Sequence, residues 1–318
     1  MLAETYDTPG RPSQSCFTTP VALNSAMRRA VTFVWIFSLV LFPALPAAQQ
    51  AVPIHGLWVW KGPMVLESAQ SVDSLRDFCR REGINEVYAS VSERGQMMTE
   101  SGMSRMIDVL HRGDIRVEAL FSSENADEGG AHLEKLLERA QIILQFNQRH
   151  PRERFDGLHL DIEPQQRPEN KGAGNLRFLP GLVEAYRAVR GVAEPAGLTV
   201  NADIQNKLLK GSLEERRMLL SALPRLTLMM YEVSSPNDGD SVQEKSEKVK
   251  ASSEKFLDMA YEGLGDSHVA KMVIALRTPD YNELLPTMLK ALDEANRENP
   301  HYLGWARHSY NDTLQGAH

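Results

Sequence analysis

Cysteine is nearly absent: Cys16 and Cys79 are the two thiols of a 318-residue chain. Cys16 lies in an N-terminal stretch without apolar periodicity, and Cys79 lies in "LRDFCRREG", which has a helical pattern. One thiol in the body of the chain cannot make a disulfide scaffold, so stability must come from a core, with Cys79 packed inside it. From residue 51 onward the chain is long enough to build one. Concentrated positive charge is also missing. Lys and Arg number 35 against 42 Asp and Glu, a net charge of -7, and phosphate backbones need clustered cations. Nucleic acid is therefore not expected as a partner. No internal repeat and no heptad run appears.

One long apolar run is present, near the start. "MRRAVTFVWIFSLVLFPALPAAQQ" places Arg28 and Arg29 ahead of an apolar stretch from Val31 to Leu45, then the small pair Ala47-Ala48. That order is the pattern of a secretory signal peptide. Translation is expected to begin at Met27, which leaves residues 1–26 as a disordered extension or no part of the protein, and 27–50 as the leader. A retained anchor is the alternative, because about 20 apolar residues span a bilayer. Pro46 falls three positions before a cut after Ala48, so the cleavage site stays open. The chain is expected to be secreted or periplasmic, with a membrane as partner only if the leader is kept. Its oligomeric state is left open.

The remainder alternates two kinds of segment. Apolar runs that suit buried parallel strands are "IHGLWVW" (54–60), "INEVYASV" (84–91), "IRVEALF" (115–121), "FDGLHLDI" (155–162), "LTVNADI" (198–204), "RLTLMMYEV" (225–233), "KMVIALRT" (271–278) and "HYLGWARH" (301–308). Amphipathic stretches lie between them, as in "HLEKLLERAQIILQFNQ", where Leu133, Leu136, Leu137, Ala140 and Ile143 share a face. Strands alternating with helices predict an α/β fold, a (β/α)8 TIM barrel over 51–310 with a tail at 311–318. A doubly wound open sheet is the alternative. Only "SYNDTLQGAH" follows the last strand, so the eighth helix is expected to be missing or short. Helix-to-strand turns such as "REGIN" and "EPAGL" are short, whereas strand-to-helix loops such as "SERGQMMTESG" and "SSENADEGGAH" are long and polar. Function is expected at the face that carries the long loops.

Strand side chains alternate between faces. Leu158, Leu160 and Ile162 share one parity and suit packing against helices. His159, Asp161 and Glu163 share the other and point into the barrel, with Glu163 nearest the mouth. Asp156-Gly157 suits a turn entering the strand. Tyr88, Ser90 and Ser92, Glu118, and Asn201, Asp203 and Gln205 take inward parity on neighbouring strands, and the sixth strand ends with Met229, Tyr231 and Glu232. Trp58 or Trp60, together with Trp305, are candidate stacking platforms. Carboxylates flanked by aromatic rings suit a carbohydrate ligand.

These residues resemble the family-18 glycoside hydrolases, the chitinases and endo-N-acetylglucosaminidases, whose fourth strand carries D-x-x-D-x-D-x-E. Asp156, His159, Asp161 and Glu163 stand in those four places, with His159 replacing the second Asp. The family's sixth-strand Met-x-Tyr-Asp is echoed by Met229, Tyr231 and Glu232, and its eighth-strand Trp corresponds to Trp305. The second-strand Ser-x-Gly-Gly is absent; the chain has "SVSERG". The resemblance implies that Glu163 is a general acid raised in pKa by burial and by Asp161. It implies that the substrate's own 2-acetamido carbonyl is the nucleophile, with Asp161 orienting it and Tyr231 bonding it. Consistent with that, the seventh strand ends "ALRTPD" without a Glu, and Asp280 there suits a helix N-cap. His159 departs from the pattern, since an imidazole can hold Asp161 ionised and so change its role. A second resemblance, to bacterial barrels ending G-x-A-x-H-x-Y, would place His308 and Tyr310 at the mouth.

The leading expectation is an exported glycoside hydrolase of an amino-sugar polymer or glycan, without a cofactor. Its catalytic set is Glu163, Asp161, Tyr231 and His159. Sugar contacts are expected from Trp58, Trp60, Tyr88, Glu118, Asn201, Asp203, Met229, Glu232, Trp305 and His308. A non-catalytic carbohydrate-binding barrel is the second expectation. The third is a metal-dependent hydrolase using His159, Asp161, Glu163, Asp203 and His308, although no tight His-x-His or His-Glu pair is present.

Overall fold

The computed structural model describes residues 52–93, 95–123, 125–171, 176–231, 239–265 and 269–315. The expected extension and leader fall outside these residues, as does Glu232.

Eight strands lie where the apolar runs do: β1 (Ile54–Val59), β2 (Glu86–Ser90), β3 (Arg116–Ser123), β4 (Gly157–Ile162), β5 (Thr199–Gln205), β6 (Arg225–Met229), β7 (Lys271–Arg277) and β8 (Tyr302–His308). Each pairs in parallel with its neighbours in chain order, and β8 pairs with β1, so the sheet closes into a barrel. The principal helices outside it are α1 (Ala69–Glu82), α2 (Glu100–His111), α3 (Gly130–Arg149), α4 (Leu179–Ala193), α5 (Leu213–Leu220), α6 (Val242–Tyr261), α7 (Leu285–Asn296) and α8 (Tyr310–Gln315). The eighth helix thus exists but has only 6 residues. Serine starts three of these helices: Ser68, Ser212 and Ser241 each accept from the backbone N–H three residues on, and that residue's side chain reaches back. No helix among the described residues is long and apolar enough to cross a membrane.

Parity works as the alternation demands. Leu158, Leu160 and Ile162 of β4 join Val200, Ala202 and Ile204 of β5 in the layer between sheet and helices, packed with Leu136, Ala140 and Leu182. Cys79 is buried in that layer on α1, and burial pushes its thiol up to about 12. The inner apolar cluster is small, built on Trp58, Tyr88, Leu120, Val273, Ala275 and Ala306. Much of the remaining inward space is filled by charge.

Candidate active site

The motif begins on structural work. Asp156 accepts from the Val117 backbone N–H at 2.7 Å and from His111 Nε2 at 2.9 Å, so it ties α2 and β3 to the base of β4. Burial pushes its carboxyl up, but these two donors outweigh burial and leave it below its ordinary value. Gly157 is the first residue of β4 rather than part of a turn. A Cβ there would lie 2.5 Å from Thr199 Oγ1 and 2.8 Å from Glu118 Oε1. The glycine therefore makes room for the inward Glu118 on the next strand.

Glu118 belongs to a line of charges along the barrel interior. At the base, Arg116 Nε lies 3.3 Å from Glu86 Oε2. Arg225 Nη2 lies 2.8 Å from Glu86 Oε1 and 2.7 Å from Glu118 Oε1. Asn201 Nδ2 also donates to Glu118 Oε1, at 2.6 Å. His159 then bridges two carboxylates: Nδ1 lies 3.1 Å from Glu118 Oε2 and Nε2 lies 2.8 Å from Asp203 Oδ1. Trp58 Nε1 donates to the other Asp203 oxygen at 3.1 Å. Tyr88 stacks on the imidazole with centroids 3.9 Å apart. His159 is fully buried. Burial opposes its charge, yet Asp203 and Glu118 push it up to about 9. Burial likewise pushes Glu118 up, and Arg225 with His159 overcomes it, holding the carboxyl down to about 2.

Above this line lies the mouth. Asp161 is buried, and its Oδ1 makes no hydrogen bond among the described residues. Burial, then the charges of Asp203 and Glu163, push its carboxyl well above the ordinary range. Glu163 accepts from Gln205 Nε2 at 2.8 Å, from Gln165 Nε2 at 3.1 Å and from Gln166 Nε2. Asp161 and Glu163 share a polar cavity of about 410 Å³ with Ser122, Ser123, Asn125 and Gln166. Tyr231, just past β6, does not line that cavity, but its buried hydroxyl has no partner among the described residues. Burial and the charges of Asp203, Asp161 and Glu163 push that hydroxyl up, so the three carboxyls all act on it. Its ring lies 5.4 Å from that of His308. Trp60 Nε1 donates to His308 Nε2 at 2.9 Å, which leaves the ring proton on Nδ1. Burial lowers the His308 pKa, so this imidazole is neutral.

Several expected sugar contacts stand elsewhere. Trp58 is 1% exposed and bonded to Asp203, so it is not a stacking platform. Trp305 has outward parity: it stacks on His55 at 4.2 Å and lines a separate cavity of about 250 Å³ with Leu289, Pro286 and Arg307. Tyr88, Glu118 and Asn201 are buried against one another and His159, within the interior and not in the mouth cavity. His159, expected to be catalytic, is sealed in the same way and can act only through Asp203. Met229 is buried between its register partners Gln205 and Ala275. Trp60 and His308 do stand at the mouth. Asp280 accepts from Arg277 at 2.6 Å instead of capping a helix. The five expected metal ligands do not assemble: both His159 nitrogens face carboxylates, and no group of three His, Cys, Asp or Glu among the described residues is spaced to hold an ion. Glu86, Arg225, Gln165 and Gln166 were not expected, and Gln205 was expected to point inward but not to bind Glu163. The inward parity of Glu86, two residues before Tyr88, was the available signal.

No protein-family model matches the sequence, and no curated protein matches it. Solved structures do match in shape. The GH5_18 protein from Streptomyces cattleya, in complex with Manb1-4GlcNAc, has TM-score 0.60 at 9% identity over 81% of this chain and 71% of that one. A GH18 chitinase from Pseudoalteromonas aurantia has TM-score 0.53 at 10% identity over 83% and 96%. Dispersin B has TM-score 0.50 at 8% identity over 83% and 96%. At such identities the likeness shows the fold: this chain is a (β/α)8 barrel of the kind seen in those proteins.

Proposed function

We propose that the chain is an exported glycoside hydrolase acting on an amino-sugar polysaccharide or glycan. The observation that carries this reading is the pair Asp161 and Glu163, side by side at the C-terminal mouth of the barrel, in a polar cavity large enough for a sugar ring. Barrel enzymes work at this face. Neighbouring carboxyls resist double ionisation, so the pair holds one proton. In the free protein that proton sits on Asp161, while Glu163 accepts three amide N–H bonds that suit its anion. Substrate that displaces the glutamines lets the proton pass to Glu163, which then gives it to the glycosidic oxygen. Asp161 orients the acetamido group of the bound sugar, with the Tyr231 hydroxyl, which has no partner among the described residues, as the group that would bond it. Trp60 and His308 supply the wall.

The glutamine clamp on Glu163 favours a second reading, a barrel that binds carbohydrate without cleaving it. The two are separated by incubating wild type and Glu163→Gln with chito-oligosaccharides and other amino-sugar oligomers. The hydrolase reading expects product from wild type, none from the variant, and equal binding by both. Binding without product from either protein would support the second reading, and full activity in the variant would refute the role of Glu163.

A further inference from the structure

The line of side chains beneath the mouth, buried from Glu86 to Asp203, alternates in sign. Arg116, Glu86, Arg225, Glu118, His159 and Asp203 follow one another at contacts of 2.7–3.3 Å. An imidazole with a carboxylate oxygen at hydrogen-bond distance from each nitrogen must donate twice, because carboxylates only accept. Glu118 also receives Arg225 and Asn201, and Asp203 receives Trp58, so both acceptors are already supplied with donors as anions. His159 is therefore an imidazolium, and the Tyr88 face stacked on it suits a cation. With that proton in place the six charges sum to zero.

The next ionisable group toward the mouth is Asp161, two residues beyond His159 on β4. The groups that act on it are Asp203 of β5, Glu163 beyond β4 and His159 below it. Tyr231 after β6 and Tyr186 of α4 also feel its charge. Arg277 of β7 and His308 of β8 flank Tyr231 on its far side. The cation that acts on it, His159, has both nitrogens spent on Glu118 and Asp203. Asp161 is left beside Asp203 and Glu163 with a buried oxygen that has no partner among the described residues.

We propose that Arg225, Glu118 and His159 are positioning residues of the mouth site: they fix Asp203 beside Asp161, and so keep Asp161 in the free protein a neutral carboxylic acid that donates a hydrogen bond to the arriving sugar before its proton passes to Glu163. The ligand atom it meets is then an acceptor, such as an acetamido carbonyl oxygen or a glycosidic or ring oxygen. This rests on the carbohydrate reading for the identity of the ligand, but the state of the residues does not.

Infrared and nitrogen NMR spectra of the full chain test it without a substrate. At pH 7 wild type should show a protonated-carboxyl C=O band that is lost in Asp161→Asn, and a His159 ring with both nitrogens protonated. In His159→Gln the cation between Glu118 and Asp203 is gone, so the band removed by Asp161→Asn should move in frequency or in pH midpoint, and an unchanged band would overturn the part assigned to His159. Glu118→Gln keeps the shape of the line if His159→Gln does not fold, and should lower the His159 midpoint by about one unit or more, a tenfold change in proton affinity. A His159 ring that titrates near its ordinary value, or no Asp161 band in wild type, would overturn the proposal and leave the hydrolase reading standing. Absence of turnover on every amino-sugar substrate would instead remove the hydrolase and leave the proton on Asp161. Where turnover is measured, His159→Gln should lower kcat more than it raises KM, as expected of a residue that tunes the site without touching substrate.

Discussion

Replacing Arg225 by Met removes the cation between Glu86 and Glu118 while keeping most of the side chain's volume. Arg225 is 8% exposed and contacts the two carboxylates at 2.7–2.8 Å. Removing one partner of a buried ion pair costs about 3–5 kcal/mol, because the survivor stays charged and buried. Glu118 keeps His159 and Asn201. Glu86 keeps only Arg116, whose side chain is 51% exposed and so screened by water. The loss at pH 7 should be about 4 kcal/mol, most of it at Glu86, from a total of about 5–15 kcal/mol for a folded domain. Its pH dependence follows from the carboxyls. Without Arg225 both folded-state values rise; at Glu86, already raised, the penalty grows only as the group ionises with rising pH, while the smaller share at Glu118, held to about 2 in the wild type, persists below 4.5. Urea unfolding from pH 7 down to pH 4 should show the gap between wild type and variant closing, and Glu86→Gln added to Arg225→Met should recover about half of the loss at pH 7. A loss under about 1 kcal/mol, or one that does not change with pH, would refute the account of the line as a set of paired charges.

Trp305→Ala should cost about 3 kcal/mol in urea unfolding and leave sugar binding unchanged, because the ring stacks on His55 in the outer layer; a loss of sugar affinity with stability intact would place it at the mouth instead. Gly157→Ala should destabilise by about 1–3 kcal/mol, since its Cβ would press on Thr199 and Glu118, and the same unfolding curve reads it. His159, raised from 6.5 to about 9, contributes stability that is fully present below pH 6.5 and is lost as pH rises through about 9. That alkaline loss, on the order of 3 kcal/mol, should be missing in a folded His159→Gln chain, and parallel curves for the two proteins would contradict it.

The barrel was legible because its two signals are local. Apolar runs bounded by turns place each strand, and parity at period 2 assigns each side chain to a face, as Leu158, Leu160 and Ile162 show against His159, Asp161 and Glu163. The site was legible to the depth that parity reaches. Parity says that a residue points inward; it does not say how far along the axis it sits. Tyr88, Glu118 and Asn201 point inward as expected and are buried below the mouth, while Trp60 and His308 point inward at its rim. Depth depends on the stagger between strands, set by pairings such as Glu118 with Gly157 and His159 with Asn201, which join residues far apart in the chain. Trp305 failed for a different reason: β8 shifts register between Tyr302 and Gly304, so counting along the strand from its start does not fix the face.

Stability alone does not account for the line of charges. Buried ion pairs of good geometry are often no more stable than apolar side chains of the same volume, and this barrel fills the rest of its interior with Trp58, Tyr88, Leu120 and Val273 at no such cost. An apolar filling in place of Arg225, Glu118 and His159 would hold the strands together equally well. It would also leave Asp203 a buried carboxylate with Trp58 as its remaining side-chain donor among the described residues, a costly arrangement. The alternation of sign from Arg116 to Asp203 supplies what an apolar core cannot, a buried carboxylate held by donors on both oxygens one step below Asp161, whose own carboxyl is pushed up by burial and by that neighbour. The His159 that departs from the D-x-x-D-x-D-x-E pattern is the link that makes this possible, because an Asp in its place would put a third anion against Asp203 and Glu118 where one cation now bridges both.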